Sequence, residues 1–161
     1  MISYEKAKVG KRLMKQFIAD GELEKAAFIG LMYQMPIRIG DAVTLRKSDL
    51  AGTMVLKTSS KSGRIYTNRH GNPYRITRQL RSLLNSINRD SDMIFTRKRE
   101  YYKRVFHSCQ ENFHLYDFRR ERLANEELLE SQRWRKQTKP ARRRSGETKK
   151  GKRIFKRVSG T

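Results

Sequence analysis

Two arginine-centred segments, PIRIGDAVTLRKSDL around Arg38 and FHLYDFRRERL around Arg119, hold the residues of this chain best suited to phosphate chemistry. A guanidinium presents its N–H groups as a rigid planar fork that matches two oxygens of a phosphate, and it stays charged at any pH a protein meets. Between the two segments, Lys61 sits in the run SSKSG, and no tyrosine follows Tyr116.

Composition narrows the partner. A formal charge of +22 and a pI near 10.7 bring self-repulsion that is tolerable only beside a polyanion. Nucleic acid is the expected partner, DNA first and RNA as the alternative. The chain has no run of about 18 apolar residues and no basic, apolar, small-residue leader, so neither a membrane partner nor secretion is expected. The expected location is intracellular. A lone Cys109 cannot close an internal disulfide, and with His107 it offers too few ligands for zinc. No metal or organic cofactor is expected.

The charge is concentrated at one end. Residues 1–133 hold 26 basic against 15 acidic residues, whereas residues 134–161 hold 12 against 1. The second stretch has few apolar side chains and cannot bury enough surface to fold alone. The expected organisation is a DNA-binding domain over 1–133 and a disordered basic arm over 134–161. Arg142, Arg143, Arg144, Lys149, Lys150, Lys152 and Arg153 of the arm are expected to contact phosphates.

Several elements must position the central residues. Residues 3–18 place Ala7, Val9, Leu13, Met14, Phe17 and Ile18 at helical spacing between lysines. Asp20 is expected to cap a second helix over the apolar run AAFIGLMYQM, which Pro36 ends. Asp41 to Leu45 reads as another short helix. TMVLKT, RIYTN and YRI read as three short antiparallel strands with Lys61 at a hairpin tip. Thr77 is placed to cap a helix over RQLRSLLNSI. A further helix, about Arg99 to Asn112, turns Tyr102, Val105, Phe106 and Cys109 inward, and a last one begins near Tyr116.

Within this order, Arg38 is followed by Asp41, Leu45 and Asp49; Lys61-Ser62-Gly63 lies between two strands; and Tyr116-Asp117-Phe118-Arg119 opens a helix. In these motifs and their order, roughly residues 2–125 resemble the catalytic domain of the tyrosine recombinases, the phage-integrase family. The resemblance implies an α+β fold, mostly helical, with a small three-stranded antiparallel sheet. It implies that Arg38 and Arg119 clamp the two non-bridging oxygens of a phosphodiester, where charge builds during strand transfer, and that Lys61 protonates the leaving oxygen. Asp41 would hold or neutralise Arg38. Members of the family attack with a tyrosine near the chain end. This chain departs from that pattern: Tyr116 stands where the family has histidine, and residues 117–161 contain no tyrosine.

The expectation is therefore a degenerate recombinase core that grips DNA phosphates through Arg38, Lys61, Arg64, Arg119 and Arg120 without cutting in cis. It fits a viral or mobile-element protein that oligomerises on DNA. One alternative is an active minimal recombinase that takes its tyrosine in trans or from an unusual position, with Tyr116 and His114 as the candidate hydroxyl and acid–base group. The other is a ribosomal or other structured-RNA-binding protein. Each basic residue also has a plainer reading, since an exposed arginine–aspartate pair contributes only about 0–1 kcal/mol. Arg38 resists that reading, because it follows an almost wholly apolar helix where an unpaired charge is costly.

Overall fold

The computed structural model describes residues 3–110 and 112–138, without the side chains of Glu130 and residues 133–138. Its helices are α1 (Glu5–Ala19), α2 (Leu23–Gln34), α3 (Ile39–Val43), α4 (Arg78–Ser86), α5 (Arg99–Cys109) and α6 (Tyr116–Thr138). The chain divides into Met1–Glu127 and Leu128–Thr161, and the contacts described below lie within the first unit. Because α6 continues to Thr138, the first residues of the expected arm are helical. Arg142, Arg143, Arg144, Lys149, Lys150, Lys152 and Arg153 lie outside the described residues.

Helix α1 is amphipathic as its spacing requires: Leu13, Met14 and Phe17 are buried, while Lys8, Lys11, Arg12 and Lys15 face solvent. It packs on α2, which buries Ala26, Ala27, Phe28, Ile29, Leu31 and Met32 and so has no polar face. Asp20 does not cap α2; it ends α1. Gly21 adopts φ +78°, and the amides of Gly21 and Glu22 return to the Ile18 and Phe17 carbonyls at 3.1 and 2.8 Å. The glycine's access to the left-handed region makes Asp20-Gly21 a helix stop, which outweighs the capping tendency of the aspartate.

The core closes around α2. Phe28 stacks on Tyr102 of α5 with ring centroids 4.1 Å apart, and Phe95 meets both rings edge-on. Glu24 accepts hydrogen bonds from the Thr96 amide and hydroxyl and from the Tyr102 hydroxyl, joining α2, the preceding loop and α5. Thr77 caps α4 by accepting the Leu80 amide at 3.2 Å, and Leu80 and Leu84 are buried. Helix α5 buries Tyr102 and Phe106 but leaves Cys109 exposed, contrary to the inward placement expected for it. Cys109 is the last residue of α5, beyond the turn that α2 and α6 cover.

The sheet has two strands, not three: β1 (Leu50–Ala51) pairs antiparallel with β2 (Met54–Val55) around Gly52. The segments expected as strands do meet, but only through isolated bridges, Met54 to Arg75, Thr58 to Ile65 and Thr67 to Pro73. Pro73 has no N–H to extend its ladder, and turns at Gly63 and Gly71 interrupt pairing within a few residues. Lys61 does lie at the tip of a turn, closed by the Gly63 amide on the Ser59 carbonyl at 2.8 Å.

Helix α6 locks the amino-terminal end of the fold. Both carboxylate oxygens of Glu121 accept free amides of α1, from Lys6 at 3.0 Å and Ala7 at 3.1 Å. Buried Asn125 accepts the Ser3 amide one turn further on. No described helix is long and apolar enough to cross a membrane.

Candidate nucleic-acid interface

Asp41 is 3% exposed and organises the arginine turn through its neighbours rather than through Arg38. Its carboxylate accepts the Tyr66 hydroxyl at 2.5 Å and the Ser60 amide at 3.3 Å, and Tyr66 in turn accepts the Arg38 amide at 3.2 Å. The Asp41–Arg38 ion pair expected from their spacing is absent among the described residues. Burial on its own would raise the Asp41 pKa, but hydrogen bonds from Tyr66 and Ser60 and the nearby Lys57 ammonium outweigh it and hold the carboxyl below its usual range. The half-buried Arg38 guanidinium is left with no hydrogen-bond or ion-pair partner among the described residues.

Arg119 reaches the same turn from α6. Its Nε donates to the Pro36 carbonyl at 3.1 Å, two residues before Arg38. One turn later, Arg122 donates to the Gln34 carbonyl at 2.7 Å. Arg122 thus satisfies a carbonyl left over at the end of α2, a role suited to a cation at the negative end of a helix, and Arg119 satisfies one in the turn that follows. They differ in charge balance. Arg122 pairs with Glu126 at 3.4 Å and lies over the Tyr74 ring, whereas Arg119 has no carboxylate partner among the described residues. Holding Nε fixes the plane of the Arg119 guanidinium and leaves its terminal nitrogens for a forked contact.

Lys61 follows Ser60 directly, so the amide that Asp41 accepts fixes the lysine-bearing turn to the arginine turn. Arg64 closes that turn through its backbone, its carbonyl accepting the Ser59 amide at 2.8 Å, and is exposed. One hydrogen-bonded network thus holds the backbones that carry Arg38, Lys61 and Arg64, and Arg119 joins it at Pro36. Arg120 does not join: it is paired with Asp117 at 3.7 Å and mostly exposed, about 100° round the helix from Arg119.

Hydroxyls near this network are mostly engaged. Tyr66, Tyr74 and Tyr102 are buried and donate to Asp41, Glu126 and Glu24. Burial first, and then the hydrogen-bonded carboxylate, pushes each phenol above its ordinary range. That is the opposite of what a nucleophile needs. Tyr116 is 49% exposed one turn before Arg119. The His114 amide donates to Asp117 in the first turn of α6, and the His114 ring Nδ1 lies 3.1 Å from His107 Nε2. Among the described residues no group of three or more potential ligands could hold a metal ion.

Tyr66, Ser60 and Arg122 were not legible as parts of this site. Tyr66 reads as one β-forming residue in RIYTN, and only its partner 25 residues earlier reveals its role. Comparison with family models, with curated proteins and with solved structures finds no match to this chain.

Proposed function

We propose that this protein binds nucleic acid through its phosphates, with duplex DNA preferred, using a degenerate core of tyrosine-recombinase type that holds a strand without cutting it in cis. The observation that carries this reading is the network that joins the Arg38 turn, the Lys61 turn and the Arg119 helix. Three cations, two of them arginines without carboxylate partners among the described residues, are built into one part of the fold. Such an arrangement is costly in an isolated protein and favourable against a polyanion. The net charge of +22 points the same way.

Affinity for duplex DNA is expected to fall steeply with salt, because each neutralised phosphate releases counterions. Fluorescence anisotropy with duplex DNA and structured RNA of equal length at matched salt tests the preference. Tighter binding to RNA would overturn it. The exposure of Tyr116 beside Arg119 favours a second reading, strand cleavage by that hydroxyl. A nicked suicide substrate separates the two: no covalent adduct is expected, and an adduct abolished by Tyr116→Phe and Arg38→Ala would establish cutting.

A further inference from the structure

Between the end of α5 and the start of α6 lies an open cavity of about 330 Å³, whose charged and titratable lining is Lys103, His107, His114, Tyr116, Asp117 and Arg120. Ile39, next to Arg38, forms part of its apolar wall with Phe106. The cavity therefore adjoins the arginine turn.

His107 Nε2 and His114 Nδ1 are 3.1 Å apart, with ring centroids 4.8 Å apart and planes at 78°. At that separation one nitrogen must carry a proton and the other must be bare, so the neutral pair shares a single N–H between its rings. One added proton goes to the remaining bare nitrogen and makes the shared bond charge-assisted. A second would set N–H against N–H.

The groups facing this pair are mainly cationic. Lys103 on α5 has no ion pair among the described residues, and Arg120 on α6 is paired with Asp117 at 3.7 Å. The other Asp117 oxygen accepts the His114 amide at 2.9 Å. Helix α3 contributes only Ile39, and from α1 the Lys6 ammonium lies over the neighbouring Phe113 ring at 5.5 Å. An added proton therefore meets two cations of the lining, Lys103 and Arg120, and one carboxylate that is already engaged. An anion in the cavity removes that penalty, so proton uptake and anion binding must favour each other.

We propose that this cavity is a second phosphoryl site, in which Lys103 and Arg120 hold a phosphate group and an added proton on the His107–His114 pair strengthens the hold. The ligand chemistry is a phosphate with several acceptor oxygens, supplied by a nucleic-acid backbone or as free phosphate. The site deepens the nucleic-acid reading and rests on it only for the first of these sources.

The test begins with the full chain and inorganic phosphate, following the ring signals of its three histidines by NMR at about pH 6 and about pH 8, which bracket imidazole titration. Saturable shifts of His107 and His114 at the lower pH, weaker at the higher, are expected, with His70 as internal reference. Unmoved His107 and His114 signals, or equal movement of His70, would overturn the site. Duplex DNA that displaces the phosphate identifies the backbone as the source; undisturbed phosphate in the presence of bound duplex identifies free phosphate. Either outcome upholds the site.

Where duplex DNA displaces the phosphate, the ratio of duplex affinities at the two pH values should be roughly tenfold in the wild type, the size of one charge-assisted contact, and fall close to one in His107→Asn. In that case an undiminished ratio in His107→Asn and in Lys103→Gln overturns the proposal. A wild type that binds no duplex at either pH defeats the nucleic-acid reading instead, while the phosphate titration still reports on the cavity.

Discussion

The Tyr66 hydroxyl donates to Asp41 at 2.5 Å and accepts the Arg38 amide at 3.2 Å, so a single phenol connects the arginine turn to the segment that carries Lys61. Neither bond is local: the partners are 25 and 28 residues apart in the chain. Positioning of the proposed clamp therefore depends on a residue that carries no charge.

Tyr66→Phe should lower stability by about 1–3 kcal/mol, because it leaves the buried Asp41 carboxylate and the Arg38 amide each short of a partner. It should also weaken duplex binding by the folded protein. Tyr74→Phe removes a similar hydroxyl–carboxylate contact, to Glu126, away from the Lys61 turn. Thermal melts and anisotropy on both variants check this; equal losses of binding would show that Tyr66 has no positioning role.

Arg38→Ala and Lys61→Ala should each reduce the slope of log affinity against log salt by about 1, the mark of one lost phosphate contact. Arg99 is exposed and paired with Glu100 at 3.0 Å, so Arg99→Ala should leave the slope as it is. Salt titrations of duplex binding decide, and a slope in Arg38→Ala equal to wild type would remove Arg38 from the interface.

In acid, the depressed Asp41 pKa sets the sign. A carboxyl held lower in the folded than in the unfolded state contributes stability that is complete above the unfolded value, about pH 4, and is lost as pH falls through the folded value. Asp41→Asn should therefore be less stable at neutral pH and show a flatter decline below about pH 4. Urea denaturation across that range measures both limbs, and parallel acid limbs would contradict the assignment.

In alkali the sign reverses. Tyr66, Tyr74 and Tyr102 are raised by burial and by the carboxylates they bond, so their contribution is complete below the unfolded value of about pH 10 and is lost as pH rises towards the folded ones. Tyrosinate absorbance should end in a late step worth three of the seven phenols, coincident with loss of helical circular dichroism. Tyr102→Phe should shorten that step by a third.

Two glycines test the packing of α1 and α2. A methyl group at Gly10 would sit 2.8 Å from Tyr33 Cβ, which moves only with the helix backbone, and 2.9 Å from its ring. At Gly30 it would meet the far ends of Leu80 and Met14 at 2.9 Å, which can swing aside. Alanine in a helix gains about 1 kcal/mol over glycine. Overpacking of about 1–3 kcal/mol outweighs that gain at Gly10. Gly10→Ala should thus melt lower than wild type and Gly30→Ala close to it.

The helices were legible because their signals are short-range. Apolar side chains at helical spacing mark α1 and α4, a solid apolar run marks α2, and Thr77 stands where α4 needs a cap. The Ser-rich turn under Lys61 was readable for the same reason. The role of Asp20 is not legible in the sequence, because an aspartate before a helix and an aspartate before a left-handed glycine look alike until the chain direction is known. The sheet has two strands where three are expected because β-forming residues do not reveal how soon Pro73 and the glycines interrupt a ladder.

By itself the sequence determined the helical framework, the excess of positive charge and the order of Arg38, Lys61 and Arg119, since these follow from spacing and composition. Only the tertiary structure decided which partner each buried or half-buried carboxylate takes. Asp41 turned to Tyr66 and Ser60 instead of Arg38, Glu24 to Tyr102, and Glu121 to the amides of α1. A buried carboxylate must satisfy its oxygens with whatever donors the packing brings within about 3 Å, and those donors come from residues distant in the chain.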